Sequence, residues 1–377
     1  MKILINTATT HKGGGVQVAK SFIEECKVYS EHQFYVVLGL GLSQLIDTHQ
    51  FPDNFSFFKI DYRPATRVFS FKDQAKFLKE VENKTQPDIV FTTSGPAYWR
   101  PKAPHLMGYN LAHYLYNDSL FFKIISSKEQ LFWKAKGCVI KRYTKRDADH
   151  YVTQTDDVNK RLKAWIQAKN VTTVSNTYGS QYDTIQSDYR QQLPKKGKDE
   201  YRFLLLSGYY KHKNIEIINE ICAQLINIEY DKHIRFVLTL PQNEFHQVIK
   251  SEYHHIVYNV GPQKPTNCPG LYKECDAIFL PTLLECFSAT YAEAMKMEVP
   301  IITTDLGFAH SVCGKAALYF KPGNADDATT QIVKLYQNKT LQAELVALGK
   351  EEMKKFNTAA QRAQKYIAIC QQILDKN

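Results

Sequence analysis

The chain has 377 residues, 44% of them hydrophobic and 23% charged, which is enough to bury two cores of ordinary globular size and excludes a disordered or fibrous chain. Its 48 Lys and Arg against 38 Asp and Glu give a net charge of +10, so phosphates, nucleic acid and anionic membrane surfaces are the partners that charge favours. The eight cysteines fall singly, with no C-x-x-C and no paired Cys/His spacing, so a zinc site is not encoded and buried free thiols are expected.

Short apolar, β-branched or aromatic runs recur along the chain, each followed by a turn signal and a stretch of helical periodicity. In the first half they are "KILINTA", "FYVVLGL", "DIVFTT", "HLMGYN" and "HYVTQT". In the second half they are "RFLLLSG", "RFVLTLP", "HIVYNVG", "AIFLP" and "VPIITTD". Strands alternating with helices over the whole length predict an α/β fold with parallel sheets buried on both faces. The polar, non-periodic stretch before "RFLLLSG" predicts a boundary. The expected division is an N-terminal Rossmann-like domain over 1–180, a linker over 181–200, a second Rossmann-like domain over 201–355, and a closing helix over 356–377 that packs back on the first domain. Two doubly wound domains facing across a cleft would bind ligand at the loops that follow the strands. No apolar run approaches the ~20 residues of a membrane span, and "MKILINTA" turns polar too early for a signal peptide, so a cytoplasmic protein is expected.

The first strand runs into Gly13, Gly14 and Gly15, which open a helix and let backbone come close to a ligand. A plain turn at a helix start would look the same. The spacing is neither G-x-G-x-x-G nor a phosphate-loop motif, which argues against a nicotinamide cofactor. Further on, "FWKAKGCVIKRYTKR" interleaves basic residues with Phe132, Trp133 and Tyr143. That pattern suits an anionic membrane surface, where each basic residue adds about 1 kcal/mol, and equally a basic helix packed on its own domain.

In the second half, "LLLSGYYKHKN" ends a strand at Gly208 and places Lys211 and Lys213 at the mouth of a helix, where a lysine can neutralise a phosphate leaving group. Such a pair is otherwise simply solvent-exposed. The stretch "LLECFSATYAEAM" puts Glu285 in the loop after a strand, Phe287 and Ser288 at a helix start, and Glu293 a turn and a half further on, with Ser288 or Thr282 able to cap. Free amides and the positive end of the helix dipole suit a phosphate. The two carboxylates can accept hydroxyls at opposite ends of a diphosphate, which is the shape of a sugar nucleotide. Taken alone, two glutamates at this spacing are also what a solvated helix face presents.

The stretch from Val260 to Ile332, "VGPQKPTNCPGLYKECDAIFLPTLLECFSATYAEAMKMEVPIITTDLGFAHSVCGKAALYFKPGNADDATTQI", resembles the GT-B-fold retaining glycosyltransferases of family 4, and the glycine loop and "GYYKHKN" lie where that family places its acceptor-side loop and its phosphate lysine. The resemblance implies that Glu285 meets the donor sugar, that Cys286, Phe287 and Ser288 hold the diphosphate through backbone amides, and that Glu293 holds the ribose. It further implies that Lys213, with Lys211 and Gly208, faces the diphosphate, that Asn259–Gln263, including Gly261, borders the base, and that Gly14 and Gly15 approach the donor. Gly13, Asn110 and His113 fall on the acceptor side, with His113 and Glu285 as the catalytic candidates; a structural role for His113 stays open. The implied activity is metal-independent, retaining transfer of a hexose from a UDP- or GDP-sugar, without cofactor, to a glycan or lipid-linked glycan. It would take place in the cytoplasm or at the inner face of the cytoplasmic membrane.

The family's pattern is not followed throughout. Tyr209 and Tyr210 stand where an arginine is common, Cys286 and Ser288 where glycine is usual, and Ser311 where an acidic residue precedes "VCG". "DAD" at Asp147–Asp149 directly precedes a strand and is expected to be structural rather than a metal site. Two other readings remain: a sugar-nucleotide 2-epimerase on the same fold, and a basic nucleic-acid-binding protein, for which no recognised module appears.

Overall fold

The computed structural model describes residues 1–11, 13–67, 73, 75–183 and 189–376. Residues 184–188 of the expected linker lie outside them. The chain divides into two compact units. Unit 1 comprises 1–117, 126–176 and 357–377, and unit 2 comprises 118–125 and 177–356.

Unit 1 is built on a seven-stranded sheet of β1 (Lys2–Asn6), β2 (Gln33–Leu38), β3 (Phe55–Lys59), β4 (Ile89–Thr92), β5 (His105–Gly108), β6 (His150–Thr153) and β7 (Asn170–Thr173). The order is β3-β2-β1-β4-β5-β6-β7, with every pair parallel. Ile3 is in register with Phe34 on one side and Ile89 on the other. All four residues of β4 and of β5 are buried, as parallel strands covered by helices on both faces require.

Unit 2 repeats the arrangement with β8 (Tyr201–Leu205), β9 (Ile234–Leu238), β10 (Val257–Asn259), β11 (Ala277–Leu280), β12 (Ile301–Thr304) and β13 (Ala317–Phe320). Its order is β10-β9-β8-β11-β12-β13, again all parallel. Its core joins Phe203, Phe236 and Phe279 on the sheet to Ile218 and Ile221 of the helix Ile217–Asn227. In each unit the strand order reverses once, between β1 and β4 and between β8 and β11. Connections leave those neighbours in opposite directions, so the loops at their carboxyl ends part and leave room for a ligand.

Two chain crossings complete the units. The closing helix Ala359–Leu374 starts with a capping box between Thr358 and Gln361 and lays Tyr366 edge-on to Phe22 at 5.4 Å, with Phe91 behind at 5.1 Å. Buried Arg362 on the same helix donates to Asn176 and, at 2.9 Å, to Ser21 Oγ. Conversely, residues 118–125 leave unit 1 and join unit 2, where the Ser119 hydroxyl donates to the Leu283 carbonyl at 2.8 Å. Among the described residues no helix is long and apolar enough to cross a membrane. Cysteines are buried as expected except Cys138, which is exposed.

Candidate active site

In unit 2 the reversal point carries the lysine and glutamate loops. After β8 the chain makes a short turn over Lys211–Lys213, and after β11 it runs through 281–288 into the helix Ala289–Lys296. The two loops are bonded to each other. The Leu283 amide donates to the His212 carbonyl at 2.7 Å, and Thr282 Oγ1 donates to the same oxygen at 3.3 Å. This fixes Lys213 against Glu285, whose Oε1 accepts from Lys213 Nζ; the two side chains are only 16% and 15% exposed. A pair this sheltered is held by geometry, and removing one partner strands the other charge.

Behind the pair, Cys286, Phe287 and Ser288 are buried and lead into the helix start. Ser288 occupies the cap position with φ −95° and ψ 115°, yet its side chain makes no capping bond. Thr282 is committed to the carbonyls of His212 and Leu284. Neither residue caps this helix as the sequence predicts, so the first amides of Ala289–Lys296 have no side-chain acceptor and no acidic residue in the first turn. That is the condition in which a helix start accepts an anion.

Glu293 is half-buried beneath this start. Its Oε2 accepts from the Tyr272 hydroxyl at 3.3 Å, and Tyr182 also bonds it. Burial pushes the Glu293 carboxyl up to about pKa 7, outweighing the two phenols that favour its charged form. Tyr182 packs edge-on to Tyr272 at 5.8 Å, so the carboxylate is aimed by two aromatic rings. At the ends of β9 and β10, Asn259 accepts from the Leu240 amide and donates to its carbonyl, both at 3.0 Å. Gly261 then turns with φ +71° and nothing within 4 Å of where a Cβ would stand, a conformation that favours glycine. Gly208 and Lys211 are exposed on the β8 loop.

In unit 1 the reversal point carries the glycine loop. Gly13 caps the helix Gly14–Glu25 with φ +68°. Gly15 lies so close to Asn110 that an added Cβ would sit 3.3 Å from its Nδ2. The Ser94 hydroxyl donates to Asn110 Oδ1 at 2.8 Å, and Thr9 donates to the Ser94 carbonyl, tying the loops after β1, β4 and β5 together. Thr9, Gly15, Ser94 and Asn110 line one side of a cavity of about 660 Å³; Phe132, Lys136 and Ile140, from the helix Ser127–Asp147, line the other. His113 stacks on Trp133 at 4.4 Å with the rings 9° from parallel. Asn110 is thus brought to the cavity with Gly15, while the His113 ring lies on the neighbouring helix.

The basic, aromatic stretch forms that helix. It buries Ile140 and Thr144 and leaves Phe132, Lys134, Lys141, Arg142 and Lys145 exposed. Asp147 is buried against Arg146, and Asp149 pairs with Arg100, so both ends of "DAD" are held by arginines. Among the described residues no group of three or more His, Cys, Asp or Glu could hold a metal.

Sequence reasoning missed Tyr182 and Tyr272, which reach Glu293 from distant parts of unit 2. It also missed Ser94, although "TTSGP" directly follows a predicted strand and could have signalled a strand-end loop.

Comparison with known proteins bears on both halves. Residues 200–338 match the family model described as Glycosyl transferases group 1. No curated protein sequence matches the chain. Sucrose-phosphate synthase from Thermosynechococcus elongatus superposes with a TM-score of 0.79 at 14% identity, over 100% of both chains. A glycosyltransferase from Rickettsia africae gives 0.71 at 15% identity, over 100% of this chain and 99% of that one. The Anabaena protein HepE, solved in complex with UDP, gives 0.66 at 13% identity, over 99% of this chain and 100% of that one. The fold is GT-B. The stretch that matches this family model runs from β8 through the helix Ala325–Gln337 and therefore contains Lys213, Glu285 and Glu293 together.

Proposed function

We propose that the protein is a retaining, metal-independent glycosyltransferase that moves a hexose from a UDP- or GDP-sugar to a hydroxyl of a glycan or lipid-linked glycan. The observation that carries this reading is the sheltered Lys213–Glu285 pair set before an uncapped helix start at the reversal point of unit 2. The amides of Phe287, Ser288 and Ala289 receive the diphosphate, and Lys213 turns part of its charge from Glu285 to the leaving oxygen. Glu285 then accepts hydroxyls of the sugar, Glu293 accepts those of the ribose, and Gly208, Lys211 and the Asn259–Gln263 turn border the nucleotide. Breaking the bond from C1 to the diphosphate oxygen while the acceptor oxygen bonds C1 from the same face keeps the configuration. The acceptor proton passes to the departing diphosphate, so no carboxylate base and no cofactor is required. Asn110, Gly13 and His113 serve the acceptor, Gly14 and Gly15 approach the donor, and the exposed face of Ser127–Asp147 rests on the anionic inner face of the cytoplasmic membrane. Structural neighbours solved with UDP and glucose, or with UDP and α-GlcNAc-glycerol, support the choice of ligand class.

The test is thermal stabilisation by UDP, GDP, ADP and CMP. A ligand that binds only the folded chain adds about 2.7 kcal/mol at 100 times its dissociation constant. A clear rise in melting temperature with one nucleoside diphosphate is expected; no rise with any of the four would contradict the donor site.

A further inference from the structure

The cavity of unit 1 has a chemistry that the transfer reading does not supply. Its volume of about 660 Å³ falls in the range of small-molecule sites. Its polar side, at the strand ends, consists of Thr9, Thr10, His11, Ser94 and Asn110. The remainder is apolar and aromatic, from Tyr98, Leu111 and Tyr114 on one flank and Phe132, Val139 and Ile140 on the helix Ser127–Asp147. Two cations, Arg63 and Lys136, open onto it, and no acidic residue is among the described residues that line it.

Several features show that this wall is built rather than incidental. Tyr98 has φ +56°, a left-handed backbone that a tyrosine keeps only where its surroundings hold it. The residue is 7% exposed and its ring packs on Tyr143 at 4.9 Å. Lys136 Nζ stands 5.2 Å over the Trp133 ring and 5.5 Å over that of Phe132. Desolvation and the neighbouring Arg63 guanidinium both lower the Lys136 pKa, so an anion between the two cations would relieve their repulsion.

We infer that the cavity binds a phosphate ester that carries a hydrocarbon or aromatic group, with the phosphate at Arg63 and Lys136 and the apolar group against Tyr98, Tyr114 and Phe132. That this ligand is the acceptor rests on the transferase reading; that the cavity takes this class of ligand does not.

The experiment is isothermal titration of the full chain with butyl phosphate, hexyl phosphate, hexyl glucoside and inorganic phosphate. Two further methylenes in an apolar wall are worth about tenfold or more, so hexyl phosphate is expected to bind about tenfold tighter than butyl phosphate. It should also bind at least about tenfold tighter than hexyl glucoside, with no saturable heat from inorganic phosphate. Lys136→Gln should cost hexyl phosphate about tenfold, the scale of one charge-assisted hydrogen bond, and leave hexyl glucoside unchanged. Ala135→Trp, at an exposed position of the helix that lines the cavity, should abolish binding while circular dichroism stays that of the wild type. Equal affinity for hexyl phosphate and hexyl glucoside, indifference to chain length, or wild-type affinity in Ala135→Trp would each overturn the inference. Hexyl phosphate that displaces the chain from phosphatidylcholine vesicles carrying phosphatidic acid would name a lipid as the source of the phosphate; hexyl phosphate binding that leaves flotation unchanged, or that occurs without flotation, would name a soluble one. Nucleoside-diphosphate stabilisation on the same samples separates the two claims. Nucleotide binding without hexyl phosphate binding overturns this inference alone, and the reverse keeps the cavity's ligand class while overturning the transferase.

Discussion

Lys213→Ala is expected to lower the rate of sugar transfer by about 10²–10³-fold, the usual cost of removing one preorganised group aimed at developing charge. The fall should appear in kcat more than in KM, because the diphosphate carries most charge as the bond to the sugar breaks. The geometry gives a second reason for a large effect. With the lysine gone, Glu285, which is 15% exposed in the intact pair, is left without its partner beside the place where the diphosphate would lie, and its negative charge repels the leaving group. Lys213→Ala/Glu285→Gln removes that charge and should recover part of the nucleotide affinity without restoring turnover. Steady-state kinetics of both variants measures this; a Lys213→Ala enzyme within threefold of wild type would show that the pair is structural only.

Donor affinity is expected to rise as pH increases through about 7 and to level off above 8. Glu293 has its pKa raised to about 7, and only its ionised form offers both oxygens to a pair of ribose hydroxyls. Protonation on the acid side therefore weakens nucleotide binding by up to about tenfold per pH unit. Glu293→Gln should flatten this profile and, at pH 8, lose the hydrogen bonds to a charged acceptor, about 1.5–3 kcal/mol. Folding carries the opposite sign. The folded carboxyl keeps its proton between the ordinary value of 4.5 and about 7, where the unfolded chain has lost it. Glu293 thus makes stability fall as pH rises through that window, and the glutamine variant should lack that slope. Nucleotide titrations and urea denaturation at pH 5.5, 7 and 8.5 check both; a pH-independent affinity would remove Glu293 from the ribose.

Most of the fold is legible in the sequence because parallel strands covered on both faces need unbroken apolar runs, such as "KILIN" and "AIFL". The strands that escape notice, β3, β7 and β13, all lie at sheet edges. Half-covered, they mix buried and partly exposed positions, as in Asn170–Thr173 with one buried residue of four, and so lose the signal. The 118–125 excursion is invisible for another reason: the ties to unit 2 include a serine bonded to a carbonyl 164 residues away and the Phe121 ring edge-on to His212.

The candidate donor-site residues are legible because each set lies in one contiguous loop that a strand and a helix define. Their environment is not. Nothing near Glu293 in sequence foretells Tyr182 and Tyr272, and the cavity of unit 1 assembles Arg63, Ser94, Tyr98, Asn110 and Lys136 from four separate stretches. His113 falls in the expected loop with its ring stacked on Trp133, and Asn110 lines the cavity.

The most direct test is a crystal structure of the full chain with the nucleoside diphosphate that stabilises it most. The account predicts diphosphate oxygens within hydrogen-bond reach of the amides of Phe287–Ala289 and of Lys213 Nζ, with the ribose hydroxyls on Glu293. A diphosphate bound elsewhere, with the Lys213–Glu285 pair untouched, would contradict it.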